Sequence, residues 1–179
     1  PHPCAPGNLM TTATATTAAD DRELLRSVAV NAGIIAAGYF RTDLKTWTKE
    51  GASPVSEADI VLDQFLGNTL LSARPDYGWL SEESADNPER LTHRRVFIVD
   101  PIDGTRGFIR GDDSWTVSLA VVEDGIPIAG VVYAPARDEM YDAALGEGAR
   151  FNGRPLVRQR HPGRTVPLIP APGAVHQEL

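Results

Sequence analysis

Val96-Phe97-Ile98-Val99-Asp100-Pro101-Ile102-Asp103-Gly104-Thr105 begins as an apolar strand and stops in two carboxylates, a proline, a glycine and a hydroxyl. Pro101 has a fixed φ and no N–H to give a neighbouring strand, so Asp100 and Asp103 can both turn to one side. Two ionised carboxylates about 4 Å apart repel by roughly 4 kcal/mol at an effective dielectric near 20. A hard divalent cation removes that cost. Asp100, Asp103 and the Ile102 carbonyl between them supply the oxygen ligands that Mg2+ accepts. Gly104 and Thr105 follow, where backbone N–H groups at a turn or helix start can face an anion. The same letters also read as a plain turn, because Asp, Pro and Gly are the usual turn residues. A phosphatase class with Asp-x-Asp-Gly-Thr, whose first Asp is a covalent nucleophile, fits poorly: its acids stand two apart, whereas Asp100 and Asp103 stand three apart.

Upstream of this stretch, Tyr77 to Leu80 reads as a short strand running into Ser81-Glu82-Glu83-Ser84, and Asp86 to Arg95 as a polar loop in which His93 is solvated. Ser56-Glu57-Ala58-Asp59 opens a helix whose buried face is Ile60, Leu62, Phe65, Leu66, Thr69 and Leu70. Ser56 suits the N-cap, with Asp59 as its partner at the third helical position. Leu24, Leu25, Val28, Ala32, Ile35, Ala36 and Tyr39 fall at helical spacing between Asp20 and Phe40, and the acids Asp20 and Asp21 suit the start of that helix. Lys45 to Lys49 reads as a short strand.

Downstream, Arg106 to Ile109 makes one helical turn and Ser114 to Glu123 alternates as a strand. Asp124-Gly125 turns that strand into Pro127 to Ala134, Met140 to Ala144 follows, and Asn152-Gly153 closes a further hairpin. Consecutive hairpins predict an antiparallel sheet. The expected fold class is α+β, with paired helices packed on that sheet.

Asp100-Pro101-Ile102-Asp103-Gly104-Thr105 resembles the metal-binding signature of the inositol monophosphatase superfamily, Mg2+-dependent and often lithium-sensitive phosphatases. Ser53 to Asp59, Leu80 to Ser84, Gly130 to Pro135 and Gly146 to Leu156 also resemble family segments, so the resemblance runs from about Asp20 to Val157. It implies the N-terminal region of the layered fold shared with fructose-1,6-bisphosphatases. It implies two or three Mg2+ ions on Glu82, Asp100, Asp103 and the Ile102 carbonyl, with Glu83 supporting Glu82 and counted among the catalytic residues. Asp59 and Thr105 would hold and deprotonate the attacking water, and Gly104 and Thr105 would bind the substrate phosphate. Lys49 matches a nearby basic position of the family. Gly104-Thr105-Arg106-Gly107-Phe108 departs from the Thr-Asn-Phe continuation of inositol monophosphatases, and Gly130 to Pro135 looks closer to the bacterial branch acting on adenosine 3',5'-bisphosphate. The implied substrate is therefore that bisphosphate, then an inositol phosphate. A noncatalytic metal- or partner-binding protein is the alternative.

Composition bounds these readings. With 42% hydrophobic and 23% charged residues the chain suits one soluble domain, and no apolar run approaches the length of a membrane span. Cys4 is the only cysteine, which excludes an intrachain disulfide and favours a cytoplasmic setting. A net charge of −7 leaves no basic surplus for a nucleic-acid polymer, while a small phosphorylated substrate is compatible because bound cations reverse the local sign.

Residues 1–17 read as an extension with Met10 as the natural start, 18–157 as the phosphatase-like domain, and 158–179 as a non-homologous, disordered tail rich in Arg, Pro and Gly. The family's Trp-Asp-x-Ala segment has no counterpart, since none of Trp47, Trp79 and Trp115 is followed by Asp. The resemblance thus implies a chain without the family's C-terminal region and with weakened catalysis unless another subunit completes the site. An incomplete core would expose apolar surface and favour homo-oligomers. A chain beginning at Met10 is expected to melt as the full chain does, read by circular dichroism; loss of folding would refute the extension.

Overall fold

The computed structural model of the chain describes residues 15–49 and 54–156. The first helix, α1 (Ala18–Tyr39), starts at a capping box in which the Thr17 hydroxyl accepts the Asp20 N–H at 3.2 Å and Asp20 accepts the Thr17 N–H at 2.8 Å. The folded part thus reaches back to Thr17, into the stretch read as extension. A short hairpin, β1 (Thr46–Thr48) with β2 (Pro54–Ser56), leads into α2 (Glu57–Ala73). Leu25, Val28, Ala29, Ala32 and Ala36 of α1 and Ala58, Leu62, Leu66 and Leu70 of α2 are buried together. Both spacings place the apolar side chains on one helical stripe, as periodicity predicts.

Those stripes cover one face of a seven-stranded sheet. Its strands are β3 (Gly78–Ser81), β4 (Arg95–Asp103), β5 (Thr116–Glu123), β6 (Ile126–Ala134), β7 (Glu139–Ala144), β8 (Gly148–Phe151) and β9 (Arg154–Pro155), in that spatial order. Phe97, Val99, Val117, Leu119, Val121, Val131 and Met140 face the helices. Ile98, Val132 and Tyr141 lie on the other face and are exposed. Helix α1 crosses β6 closely at Gly33, where a Cβ would sit 2.6 Å from the Tyr133 ring and 2.8 Å from Pro135. No helix among the described residues is long and apolar enough to cross a membrane.

Two features depart from the sequence reading. The stretch read as a plain loop from Asp86 contains a 3-10 helix at Pro88–Thr92, and the sheet is not antiparallel throughout: β3 and β4 are parallel. A hairpin cannot join parallel strands, and the longer crossover containing the 3-10 helix does so here. As a result β3 and β4 end at the same edge of the sheet. The β4–β5 register also slips, with Asp100 opposite Ser118 and Asp103 opposite Thr116, so β4 carries one extra residue. This bulge spans Pro101, whose missing N–H interrupts the ladder.

Buried charges fasten the helices to the sheet. Asp21, fully buried, receives Arg74 at 3.1 Å, Arg95 at 3.0 Å and the Tyr77 hydroxyl at 3.0 Å. Asp142 on β7, also buried, pairs with Arg26 and lies 3.6 Å from Arg22. Removing one member of such a cluster leaves the others desolvated without a counter-charge. Asp21→Ala is expected to cost about 3 kcal/mol of folding stability, read as a lowered midpoint in urea with an unchanged slope.

Candidate active site

Four chain segments converge at the edge where β3 and β4 end. Ser81 pairs with Val99, and the next N–H, that of Glu82, donates to the Val99 carbonyl at 3.1 Å. Glu82 therefore leaves β3 beside Asp100, and the two side chains share a hydrogen bond. Burial, the Glu82 charge, that hydrogen bond, and the charges of Asp103 and Asp59 push the Asp100 carboxyl up to about 8. Glu82 and Asp103 are exposed and Asp100 is half-buried. Glu82, Asp103 and Asp59 each act on Asp100 as like charges, and a proton on Asp100 relieves that repulsion.

No group of three or more acidic, His or Cys side chains among the described residues is arranged as a ready-made metal cage. The donor set is hard carboxylate oxygen and suits a cation such as Mg2+ or Ca2+. It holds no His or Cys that would favour a softer metal.

Asp59, at the first turn of α2, is buried and divides its oxygens between two tasks. Oδ2 accepts the Ser56 N–H at 2.8 Å and the Ser56 hydroxyl at 2.6 Å. Oδ1 accepts the Thr105 hydroxyl at 3.2 Å. The capping role and the pairing with Thr105, which local pattern sets against each other, thus coexist in one carboxylate. Burial pushes the Asp59 carboxyl up against the opposing pull of the Ser56 and Thr105 hydrogen bonds. The Thr105 hydroxyl is also 3.0 Å from the Ile102 carbonyl, which places that carbonyl inside the cluster.

Thr105 opens α3 (Thr105–Arg110), and Gly104 before it is left-handed with φ 93°. A Cβ there would sit 2.8 Å from the Ser114 carbonyl oxygen. Glycine is needed on both counts. Gly104→Ala is expected to destabilise by about 1–3 kcal/mol, measured by chemical denaturation.

The Glu82–Glu83 turn is held from the other side by Lys49. Its ammonium donates to the Glu82 carbonyl at 2.9 Å and lies 2.5 Å from the buried Glu83 carboxylate. Burial pushes the Glu83 carboxyl up, and Lys49 opposes the shift. The sequence matched Lys49 to a basic family position without its partner; a lone Lys before a loop carries no local signal for one. His93, expected to be solvated, is partly exposed, with Nδ1 2.9 Å from the Asp76 carbonyl. A contact from Ser81 to Asp63 on α2 was not foreseen at all.

The layered α+β arrangement, with its acidic cluster at the end of a parallel strand pair, defines the class of protein, and comparison with known proteins makes it specific. The profile of the inositol monophosphatase family matches residues 19–175, and the chain belongs to that family, whose members are phosphatases. The match passes beyond Val157, where the sequence reading ended the family-like region; residues 157–179 lie outside the described residues. A histidinol-phosphatase from Chlorobaculum parvum is 36% identical over 137 residues, covering 76% of this chain and 52% of the relative. The 3'(2'),5'-bisphosphate nucleotidase CysQ of Escherichia coli is 42% identical over 101 residues, covering 56% of this chain and 41% of the relative. The solved structure of an IMPase from Thermotoga maritima aligns with a TM-score of 0.71 at 31% identity, covering 76% of this chain and 53% of that one. The chain spans about half the length of the curated relatives it matches.

The raised Asp100 pKa fixes a pH dependence. In the metal-free chain the folded state holds a proton between the ordinary value of 3.8 and about 8 that the unfolded state has lost. Its contribution to stability is full below 3.8 and is lost as pH rises through about 8. Melting temperatures in chelator are therefore expected to fall from pH 5.5 to pH 8.5, less steeply in Asp100→Asn; parallel profiles for the two proteins would refute this.

Proposed function

We propose that the chain carries the site of a Mg2+-dependent phosphate monoester hydrolase acting on a small phosphorylated metabolite. The supporting observation is the meeting of Asp59 and Thr105, 3.2 Å apart, beside the Glu82–Asp100 pair. Glu82, Asp100, Asp103 and the Ile102 carbonyl would hold the ions, which supply charge neutralisation and an acidified water when bound. The single Thr105 hydroxyl hydrogen has two acceptors, Asp59 at 3.2 Å and the Ile102 carbonyl at 3.0 Å; with that carbonyl engaged by a cation the hydrogen would go to Asp59, and the Thr105 lone pairs could accept one from a water. Asp59, buried and raised in pKa, takes up the charge that this transfer moves inward. Glu83, held by Lys49, keeps the Glu82 turn in place, and the N–H groups of Gly104 and Thr105 would bind the phosphoryl oxygens.

For the substrate we infer adenosine 3',5'-bisphosphate, on the Gly104 to Phe108 and Gly130 to Pro135 segments together with the similarity to the CysQ nucleotidase. A second reading, a histidinol phosphate, is favoured by the longer match to the Chlorobaculum parvum enzyme. Inositol monophosphate follows from the family name.

Phosphate release by the full chain from each of the three substrates, with and without Mg2+, tests the proposal. Release is expected fastest from the bisphosphate and absent in Asp103→Asn; activity retained in that variant would overturn the site. Calorimetric Mg2+ binding with no turnover of any substrate would leave the noncatalytic reading in its place.

A further inference from the structure

Asp59 and Asp63 stand four residues apart on α2, which places both carboxylates on one side of the helix, a turn apart. Asp59 receives the hydroxyl of Thr105, just beyond β4. Asp63 receives the hydroxyl of Ser81, at the end of β3. One helix therefore grips both strand ends from which the proposed metal ligands emerge.

The Ser81 hydroxyl is buried, and it is used in both directions. It donates to Asp63 Oδ1 and accepts the Glu83 N–H at 3.3 Å. Donation to a carboxylate fixes the hydroxyl rotor, which otherwise turns freely, and so aims its lone pairs at the turn. Strand β3 is already tied to β4 by backbone pairing through Ser81 and Val99. The hydroxyl acts beyond that pairing, on the Glu83 N–H.

We infer that Asp63 and Ser81 are positioning residues: the Asp63–Ser81–Glu83 chain of hydrogen bonds holds the Glu82–Glu83 turn at the strand edge beside Asp100, from which Glu82 would reach a cation shared with Asp100 and Asp103. The inference rests on the reading of Glu82 as a metal ligand. Partners that orient metal ligands typically contribute 10–100-fold in affinity without touching the ion.

The test is Mg2+ binding to the full chain, followed by calorimetry, with thermal melts on the same samples. Ser81→Ala and Asp63→Ala are expected to weaken Mg2+ binding by about tenfold. Asp63→Asn keeps an oxygen that accepts the Ser81 hydroxyl and loses only charge, so it is expected to bind within about threefold of wild type. Val131→Ala, a core truncation remote from the turn, lowers the melting temperature and should leave affinity unchanged, which separates positioning from general destabilisation. Wild-type affinity in both Ser81→Ala and Asp63→Ala, with binding lost in Glu82→Gln, would overturn the positioning role and leave the metal site standing. An equal loss in Asp63→Asn and Asp63→Ala would also overturn it, by assigning the effect to charge. If Glu82→Gln binds as wild type does, the metal reading and the positioning role fall together.

Discussion

The parallel pairing of β3 with β4 is the constraint on which the rest of the site depends. Strands that run the same way end at the same edge, so the acids that follow them, Glu82-Glu83 and Asp100 to Asp103, are delivered to one place. An antiparallel pairing would send them to opposite edges. The crossover between the two strands has an ordering cost, and burial of Tyr77, Phe97 and Val99 under the helices offsets it.

Concentrating carboxylates in this way opposes folding, and the chain relieves it locally. The raised Asp100 carboxyl gives up its charge by holding a proton, Glu83 keeps Lys49, and both oxygens of Asp59 accept from hydroxyl and amide donors. Elsewhere the buried acids Asp21 and Asp142 are met by arginines, which remain charged. The contrast has a physical sense. Arginine stays charged at any ordinary pH, so the helix–sheet contacts do not follow the protonation that the Asp100 carboxyl undergoes.

Helix α2 links packing to chemistry. Its apolar stripe of Leu62, Leu66 and Leu70 is fixed in the core, and its first two turns present Asp59 and Asp63 to the strand ends. A helix anchored along its length is stiff, so carboxylates on it are placed more tightly than carboxylates on a loop. The sheet face opposite the helices leaves Ile98, Val132 and Tyr141 exposed.

Local chemistry determined much by itself. The helical stripes, the cap at Ser56, the hairpin turns at Asp124-Gly125 and Asn152-Gly153, and the break in β4 at Pro101 are all decided within a few residues, by φ restrictions, by missing or surplus donors and by periodicity. The acids were recognisable because apolar strands seldom end in them. Tertiary structure alone decided that β3 runs parallel to β4, that Asp59 serves Ser56 and Thr105 at once, that Lys49 belongs to Glu83, and that Asp63 reaches Ser81. These contacts join residues 18 to 46 positions apart, apart from the cap itself, and no local pattern encodes them. They exist because burying the two helices on one sheet face brings the polar ends of several segments to the same edge, where the buried ones need partners.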